Sequence, residues 1–565
     1  MAISEIASSR LAGLAMTNDK IMNKKYLLFL IILATGIFMR FYQFPNVPPG
    51  VNRDEASIGY TAYSLLKTGN DEYGKHLPIA FQSFGDWKLP FYIYEVTGSV
   101  KIFGLNEFAV RLPSLLAGVG TVIVTYFLVE EIFGISLISF LSMLLIALSP
   151  WSVHLSRLES ESNTAVFITT IALLLFFKAI KKSPKVLVIV GALLALCYGI
   201  YAGNYVSTTL LVAGLGWFFR KELLKNKFIL VAGGAFFLIC IFFLYENYSA
   251  NHTKISGIGI FGDPAVVHAK IELPRLEYKN PNSLQARFFN NRLIYAGEKV
   301  FQNYLNSYSP QFLFISGGMN AAHNIQNFGN MYIIEAPFLF LGLVYLIALK
   351  KGKERNVLLW WFFTSAIAAS ITKDAPHTNR MAAILPVLQI VTAFGIWWAY
   401  QLLKNSIIKK YLFVSIVSVL FIVNIGIYLD RYYVHFPYEE AKSWGIGYKK
   451  LSVALDNPVF AHKHVIMTNP QESPYIFLAF YQKWDPATYQ KDAIRYPITS
   501  DGFVDVKSAG RFEFRPIDWG KDAPNTNQVL VAKTEEVPQD IKNHYQTIDI
   551  LLPSGQPQFT IVTTQ

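Results

Sequence analysis

Two adjacent carboxylates, Asp54 and Glu55, stand in PPGVNRDEASIGY (residues 48–60), a few positions beyond a strongly apolar segment. A carboxylate placed there has the chemistry to take a proton from a hydroxyl. The next polar cluster, SPWSVHLSRLESESN (149–163), adds Arg157, Glu159 and Glu161. ITKDAPHTNR (371–380) adds Lys373, Asp374, His377 and Arg380. The stretch 247–330 contributes Arg287 and Arg292 in QARFFNNR, then Asn320 and His323 in SGGMNAAHNIQNFGNMY. Carboxylates alone would suggest cation handling, and cations alone an anionic head group. The mixture suits a reaction that moves a sugar off a phosphate: a carboxylate deprotonates the acceptor hydroxyl while Arg, Lys or His neutralises the departing phosphate. By analogy with inverting glycosidases, attack from the face opposite the leaving group inverts the anomeric carbon.

Elements that could bring such scattered residues together must lie in a membrane. Of 565 residues, 53% are hydrophobic, 15% aromatic and only 16% charged, which excludes an ordinary soluble chain. Apolar runs near 26–43, 108–133, 134–150, 162–178, 185–201, 204–219, 228–246, 331–349, 356–372, 380–400 and 411–429 predict about eleven crossings. Basic clusters at 20–25, 178–185, 220–227, 350–355 and 404–410 fall in every second connection, and the positive-inside rule puts these on the cytoplasmic side. The formal charge of +12 therefore speaks for orientation and against nucleic acid. Cys197 and Cys240 both lie inside apolar runs, where a thiol acts as a small hydrophobe, so neither a disulfide nor structural zinc is expected.

This alternation predicts a cytoplasmic N-terminal segment over 1–25 and a transmembrane domain over 26–431 with external loops at 44–107 and 247–330. A C-terminal extracytoplasmic domain follows over 432–565. Helical spacing of apolar residues near 54–67 and 89–103 predicts two helices lying along the membrane surface. After 432 the runs HVIMTN, QVLVAKT and FTIVTTQ read as short strands, and SPYIFLAFYQKW (473–484) as an amphipathic helix, which together make a small α/β domain. Asp54, Glu161, His323 and Arg380 then share the external face.

The first external loop carries a further signal. Asp-Glu after a Pro-Gly turn, then KLP, IFG and RLPS arrive in one order, and SPWSVHLSRLESESN and KDAPHTNRMAAILPVLQI continue it. In this the chain resembles the GT-C glycosyltransferases related to protein O-mannosyltransferases and aminoarabinose lipid A transferases, over roughly residues 26–430. The resemblance implies an all-α polytopic membrane protein with interfacial helices. It implies a polyprenyl-phosphate-linked sugar donor, mannose-like or a related hexose, and transfer to a protein, lipid or polysaccharide acceptor on the external face. Carried over by residue, it makes Asp54 the catalytic base and Glu55 its companion, and matches Glu161 rather than Glu159 to the acidic position after Arg157. Arg157, His323, Asn320, His377, Arg380 and Arg292 fall to the donor phosphate and substrate. One departure stands out: SGGMNAAH has Met319 where relatives carry an acid, and Ala321 and Ala322 where a basic residue is usual.

Each assignment has a structural rival. Asp54 and Glu55 would favour a helix N-terminus with no catalytic role, and Arg157 and Glu161 are spaced as an i,i+4 pair. No organic cofactor is called for, while paired carboxylates have the ligands for a divalent ion, so metal stays open. A transporter or flippase of lipid-linked sugar, or an oligosaccharyltransferase-type enzyme, would use related chemistry. The first should hold its charges at mid-membrane, whereas here they sit at span ends.

Overall fold

A computed structural model of the chain describes residues 23–84, 86–248, 259–261, 264–403, 406–499 and 503–564. Most of the N-terminal segment 1–25, and residues 404–405 of one basic cluster, lie outside the described residues. The described residues open with helix α1 (23–41), which turns through a proline-rich loop into α2 (Arg53–Thr68). Asn52 and Glu55 start α2 as a reciprocal cap: the Asn52 side chain accepts from the Glu55 N–H at 2.9 Å, and the Glu55 carboxylate accepts from the Asn52 N–H at 3.3 Å. Gly69, with φ of 74°, ends it in the left-handed region that glycine enters freely. A short antiparallel hairpin, β1 (Phe81–Ser83) and β2 (Asp86–Lys88), folds back over α2. Then come α3 (Pro90–Phe103) and the long apolar α4 (Glu107–Phe133), each started by what precedes it, a proline at the first position of α3 and an Asn106 side-chain cap on α4.

Helices α5 (Ser136–Leu148) and α6 (Pro150–Ser156) form a pair bent by 56°. Pro150 has no N–H to continue the ladder, which leaves carbonyls at the end of α5 unpaired. Arg40 of α1 supplies donors there, reaching the Ile146 and Ala147 carbonyls at 3.3 and 3.1 Å and the Ser152 hydroxyl at 2.8 Å. Next is α7 (Glu161–Lys181), capped by Ser160.

Helices occupy all the predicted apolar runs, but they are unequal. Among the described residues four helices are long and apolar enough to cross a membrane, or up to five if the bent pair is one span. Pro184–Gly199, Glu335–Leu349 and Val387–Leu402 are shorter apolar helices. Breaks shorten them: 3-10 turns open and close the first, and a π turn ends the second. Where the helices Glu335–Val344 and Val387–Leu402 cross, glycines let the backbones approach, and a Cβ built on Gly395 would lie 1.8 Å from the Phe338 carbonyl oxygen. Backbone cannot yield there, so Gly395→Ala should destabilise the protein by about 1–3 kcal/mol, read as a lowered melting temperature in detergent.

The C-terminal region builds a seven-stranded mixed sheet in the order β4-β5-β6-β3-β7-β9-β8. Its strands are β3 (His464–Met467), β4 (Ile494–Arg495), β5 (Val506–Ala509), β6 (Phe512–Phe514), β7 (Gln528–Lys533), β8 (Gln546–Leu551) and β9 (Pro557–Thr563). β3 runs parallel to both β6 and β7, and the other pairs are antiparallel. Alternate side chains face opposite ways. Val465, Met467, Val529 and Val531 point to one core, and Ile466, Leu530 and Ala532 to another on the far side.

The first of these cores also contains Val51, Ala56, Ile58 and Tyr60 of the N-terminal loop and α2. The helix expected to lie on the membrane surface is therefore buried on nearly every side, from Glu55 to Ala62. The reason is tertiary: the helix Pro474–Tyr481 covers it, with Phe480 so close to Gly59 that a Cβ there would stand 2.6 Å from the ring. That helix, read as amphipathic, is itself buried from Pro474 to Phe480, because it is sandwiched between α2 and the sheet.

One carboxyl is trapped in this contact. Glu72 is fully buried, with Tyr475 donating to its carboxylate at 3.4 Å and Arg495 to its backbone carbonyl at 3.2 Å. Burial, opposed by Arg495, pushes its carboxyl from 4.5 up to about 8. The folded form thus holds this proton more tightly than the unfolded chain. Stability is full below about 4.5 and falls as pH rises to about 8. Glu72→Gln should flatten that fall, so its melting temperature should exceed wild type at pH 9 by more than at pH 5.

Candidate active site

Asp54 sits in the first turn of α2, beyond the cap that Asn52 and Glu55 complete, so its carboxylate is free of helix duties. The hairpin delivers Lys88 to it: Lys88 Nζ stands 2.7 Å from Asp54 Oδ1, with the lysine side chain 7% and the aspartate 42% exposed. Burial would raise the Asp54 carboxyl, but Lys88 and Arg53 outweigh it and hold the group well below the usual carboxylate range. The pair also fixes the hairpin, whose Ser83 hydroxyl meets that of Ser57 at 2.6 Å.

Glu55 faces the other way. It is fully buried against Arg111 of α4, with contacts of 2.8 Å (Nε to Oε1) and 2.7 Å (Nη2 to Oε2). It also accepts from the Glu159 N–H at 2.9 Å. Arg111 in turn donates to the carbonyls of Pro45 and Pro48 at 2.7 and 3.0 Å, and to that of Gly50. This buried pair ties the proline-rich loop, α2, α4 and the turn before α7 into one frame. Glu55 therefore holds the site's backbone and has no oxygen turned toward an acceptor.

Arg157, read as a phosphate ligand, is likewise committed. Its guanidinium donates to the carbonyls of Val47 at 2.8 Å, Arg40 at 2.8 Å and Met39 at 3.3 Å, and lies over the Tyr432 and Tyr433 rings. Its donors close the end of α1, which the sequence spacing alone could not reveal.

The turn between α6 and α7 brings acid to Asp54. Glu159 is buried within electrostatic reach of Asp54, Glu55 and Lys88, and burial, then the neighbouring Glu161, raise its carboxyl well above the usual range. Glu161, preferred over Glu159 from sequence, occupies the first turn of α7 beside it and is partly buried.

Loop-to-loop hydrogen bonds carry the basic groups in. The Asn379 side chain meets the hydroxyls of Ser160 and Ser162, at 3.3 Å for Ser160, and the Thr378 hydroxyl donates to the Asn324 side chain at 3.1 Å. His323 and His377 thereby face each other with ring centroids 5.3 Å apart. Burial, with Arg380 and Lys88 and against Asp54, lowers the His323 imidazole to about 4; burial and His323 lower His377. Both are neutral at pH 7, so they serve as hydrogen-bonding groups and Arg380 supplies the fixed positive charge. Among the described residues His323 Nδ1 and Arg380 Nη1 are buried with no hydrogen-bond partner, while Arg380 Nη2 reaches Asp374 at 3.3 Å.

Two predicted residues stay outside this group. Arg292 is exposed at the start of the helix Arg292–Ser307, whose contacts with Ser370 and Thr372 come from Asn303, three turns further on. Asn320 is exposed and its side chain accepts from the Ala322 N–H, closing a local turn. Two others were missed. Lys88 lay in the KLP triplet and Arg111 in RLPS, both noted as order markers, and the charge in each was the available signal. No group of three or more His, Cys, Asp or Glu side chains is placed to hold a metal ion among the described residues.

Comparison with known proteins sets this geometry in a wider frame. The crystal structure of ArnT from Cupriavidus metallidurans bound to undecaprenyl phosphate aligns over 96% of this chain and 98% of that one, with a TM-score of 0.54 and 11% identity. Its apo form gives 0.52, over 97% and 98%, also at 11% identity. The fold is that of the GT-C glycosyltransferases. Residues 88–245 match the profile of the dolichyl-phosphate-mannose-protein mannosyltransferase family. A 90-residue stretch is 36% identical to YkcB of Bacillus subtilis, named as a candidate mannosyltransferase; it is 16% of this chain and 12% of the length of that relative. The family match begins at Lys88 and takes in Arg111, Glu159 and Glu161. Asp54, His323 and Arg380 lie outside it and join the site through the GT-C fold.

Proposed function

We propose that the protein transfers a sugar from a polyprenyl-phosphate-linked donor to an acceptor hydroxyl, with inversion, on the extracytoplasmic side of the cell membrane. The observation that carries this reading is the half-exposed Asp54 carboxylate bound to Lys88 at 2.7 Å, with His323 within electrostatic reach of Asp54, Lys88 and Arg380. A carboxylate locked to a lysine is a weak base. When a donor phosphate draws Lys88 to itself, Asp54 loses its partner and its basicity rises as the acceptor arrives. Asp54 then takes the hydroxyl proton, the acceptor oxygen bonds to the anomeric carbon, and the sugar–phosphate bond breaks with its electron pair leaving on the phosphate. Lys88 and Arg380 stabilise that charge, and the neutral His323 and His377 add hydrogen bonds. Undecaprenyl phosphate bound to ArnT, a protein of the same fold, supports a polyprenyl carrier, and the mannosyltransferase match supports a mannose-like hexose.

In this reading Glu55 and Arg157 are positioning residues, and Glu159 lines the acceptor side with Glu161. The membrane part, 26–431, crosses about eleven times with its N-terminus in the cytoplasm, and the sheet domain over 432–565 is extracytoplasmic. The test is direct. Purified protein in lipid, given labelled polyprenyl-phosphate hexoses and a cell-envelope acceptor extract, should move label onto the acceptor. Label that crosses the bilayer without transfer would replace this reading with transport of the lipid-linked sugar.

A further inference from the structure

The helix Arg292–Ser307 is built inside out. Its buried side is polar: Asn303 and Ser307 are fully buried, and Asn303 donates to the carbonyls of Ser370 and Thr372, both at 2.9 Å. Its open side is apolar along one half and polar along the other, where Glu298, Gln302 and Asn306 are exposed. Leu293 is 81% exposed and Phe301 65%, with Leu305 beside them on an arc of roughly 120° at 3.6 residues per turn. The preceding helix, Leu284–Phe289, adds Leu284 at 89% exposure together with Phe288 and Phe289. A surface helix in water shows the reverse arrangement. A contiguous apolar patch of this kind has to be covered.

The structure indicates what covers it. Tyr304 donates to the Phe363 carbonyl at 2.9 Å and Tyr308 to that of Phe362, which straps the helix across the end of Lys353–Thr364, one of the apolar runs that read as membrane spans. Phe363 and Ile371 on the same edge are also exposed, so the patch continues the apolar surface of the transmembrane part. Arg287 and Arg292 are exposed beside it, suited to lipid phosphates at the rim. Thr372 and the loop carrying His377 and Arg380 fix the side of the membrane as that of Asp54.

We infer that residues 284–305 form a lipid-contacting collar, with Leu284, Leu293, Phe301 and Leu305 seated in the acyl boundary of the leaflet on the Asp54 side. The predicted membrane-surface helices lay in the first external loop, where α2 proved to be a core helix; this surface belongs to the second. The inference rests on burial and geometry and does not depend on the reaction.

The full-length protein is placed in nanodiscs of phosphatidylcholine and phosphatidylglycerol. Leu284→Cys, Leu293→Cys and Phe301→Cys are labelled with a fluorophore, and Val459→Cys, exposed on the sheet domain, serves as the water control. Cys197 and Cys240 are buried, so wild type gives the labelling blank. Nitroxide on the upper acyl chain should quench the three collar probes severalfold more than the probe at 459, and aqueous iodide should quench them severalfold less. Collar probes as open to iodide as the control would overturn the inference. So would protection from both quenchers, which would mean that a protein partner or a second copy covers the patch. Three separate positions keep the result readable if one variant fails to fold.

Discussion

Asp54→Asn should lower sugar transfer by about 10²–10⁴-fold, the range that a positioned general base contributes, while leaving the fold and donor binding in place. The expectation of an intact fold comes from the local structure: the cap of α2 is made by Asn52 and Glu55, and Asn at position 54 removes an acid from the first turn, worth a few tenths of a kcal/mol, and the charge paired with Lys88, while its amide oxygen keeps an acceptor for the lysine. Lys88→Met separates the two halves of the proposal. It should weaken donor binding, raising KM, and let the Asp54 carboxyl drift upward toward its ordinary range once its counter-ion is gone. Rates and KM measured with labelled donor across pH 4 to 8 distinguish these outcomes. An Asp54→Asn variant that turned over at the wild-type rate would remove Asp54 from the chemistry and leave it a tether for Lys88.

Arg111→Met should cost about 3–5 kcal/mol of stability, because it strands the Glu55 carboxylate where no water reaches. Both partners are fully buried, and Arg111 also supplies the donors for three carbonyls of the 45–50 loop. Thermal melting in detergent reads the loss. The informative comparison is Glu55→Gln combined with Arg111→Met. Without the stranded charge, the double variant should melt above Arg111→Met alone, a coupling visible as non-additivity. If the double melted at the sum of the singles, the pair would be two independent contacts and not one frame.

How much of this was legible beforehand depended on distance along the chain. Asp54 was legible because a lone polar turn after an apolar run stands out locally. The role of Glu55 was not, since its partner Arg111 lies 56 residues away and nothing in DEASIGY announces it. Arg157 looked like an anion ligand because charge is visible in sequence and backbone carbonyls are not. Hydropathy found the apolar runs but could not tell which would be cut by a proline or a 3-10 turn. It also could not distinguish a side covered by lipid from one covered by protein. α2, with helical periodicity and modest polarity, was assigned to the membrane surface because the segment that buries it is more than 400 residues downstream. Arg292–Ser307 drew no assignment at all, because its exposed apolar residues had no marker apart from their spacing.

The core shared by α2 and the sheet has a consequence for how the protein is made. Val51 and Ala56 share one buried core with Phe559 and Ile561 of β9, which lie hundreds of residues further along the chain and are synthesised long after them. The segment bearing Asp54 must therefore wait, while the intervening helices are made, for β9 to complete the core around it. A nascent chain arrested before β9 would hold the Asp54 segment without the strand that completes its core.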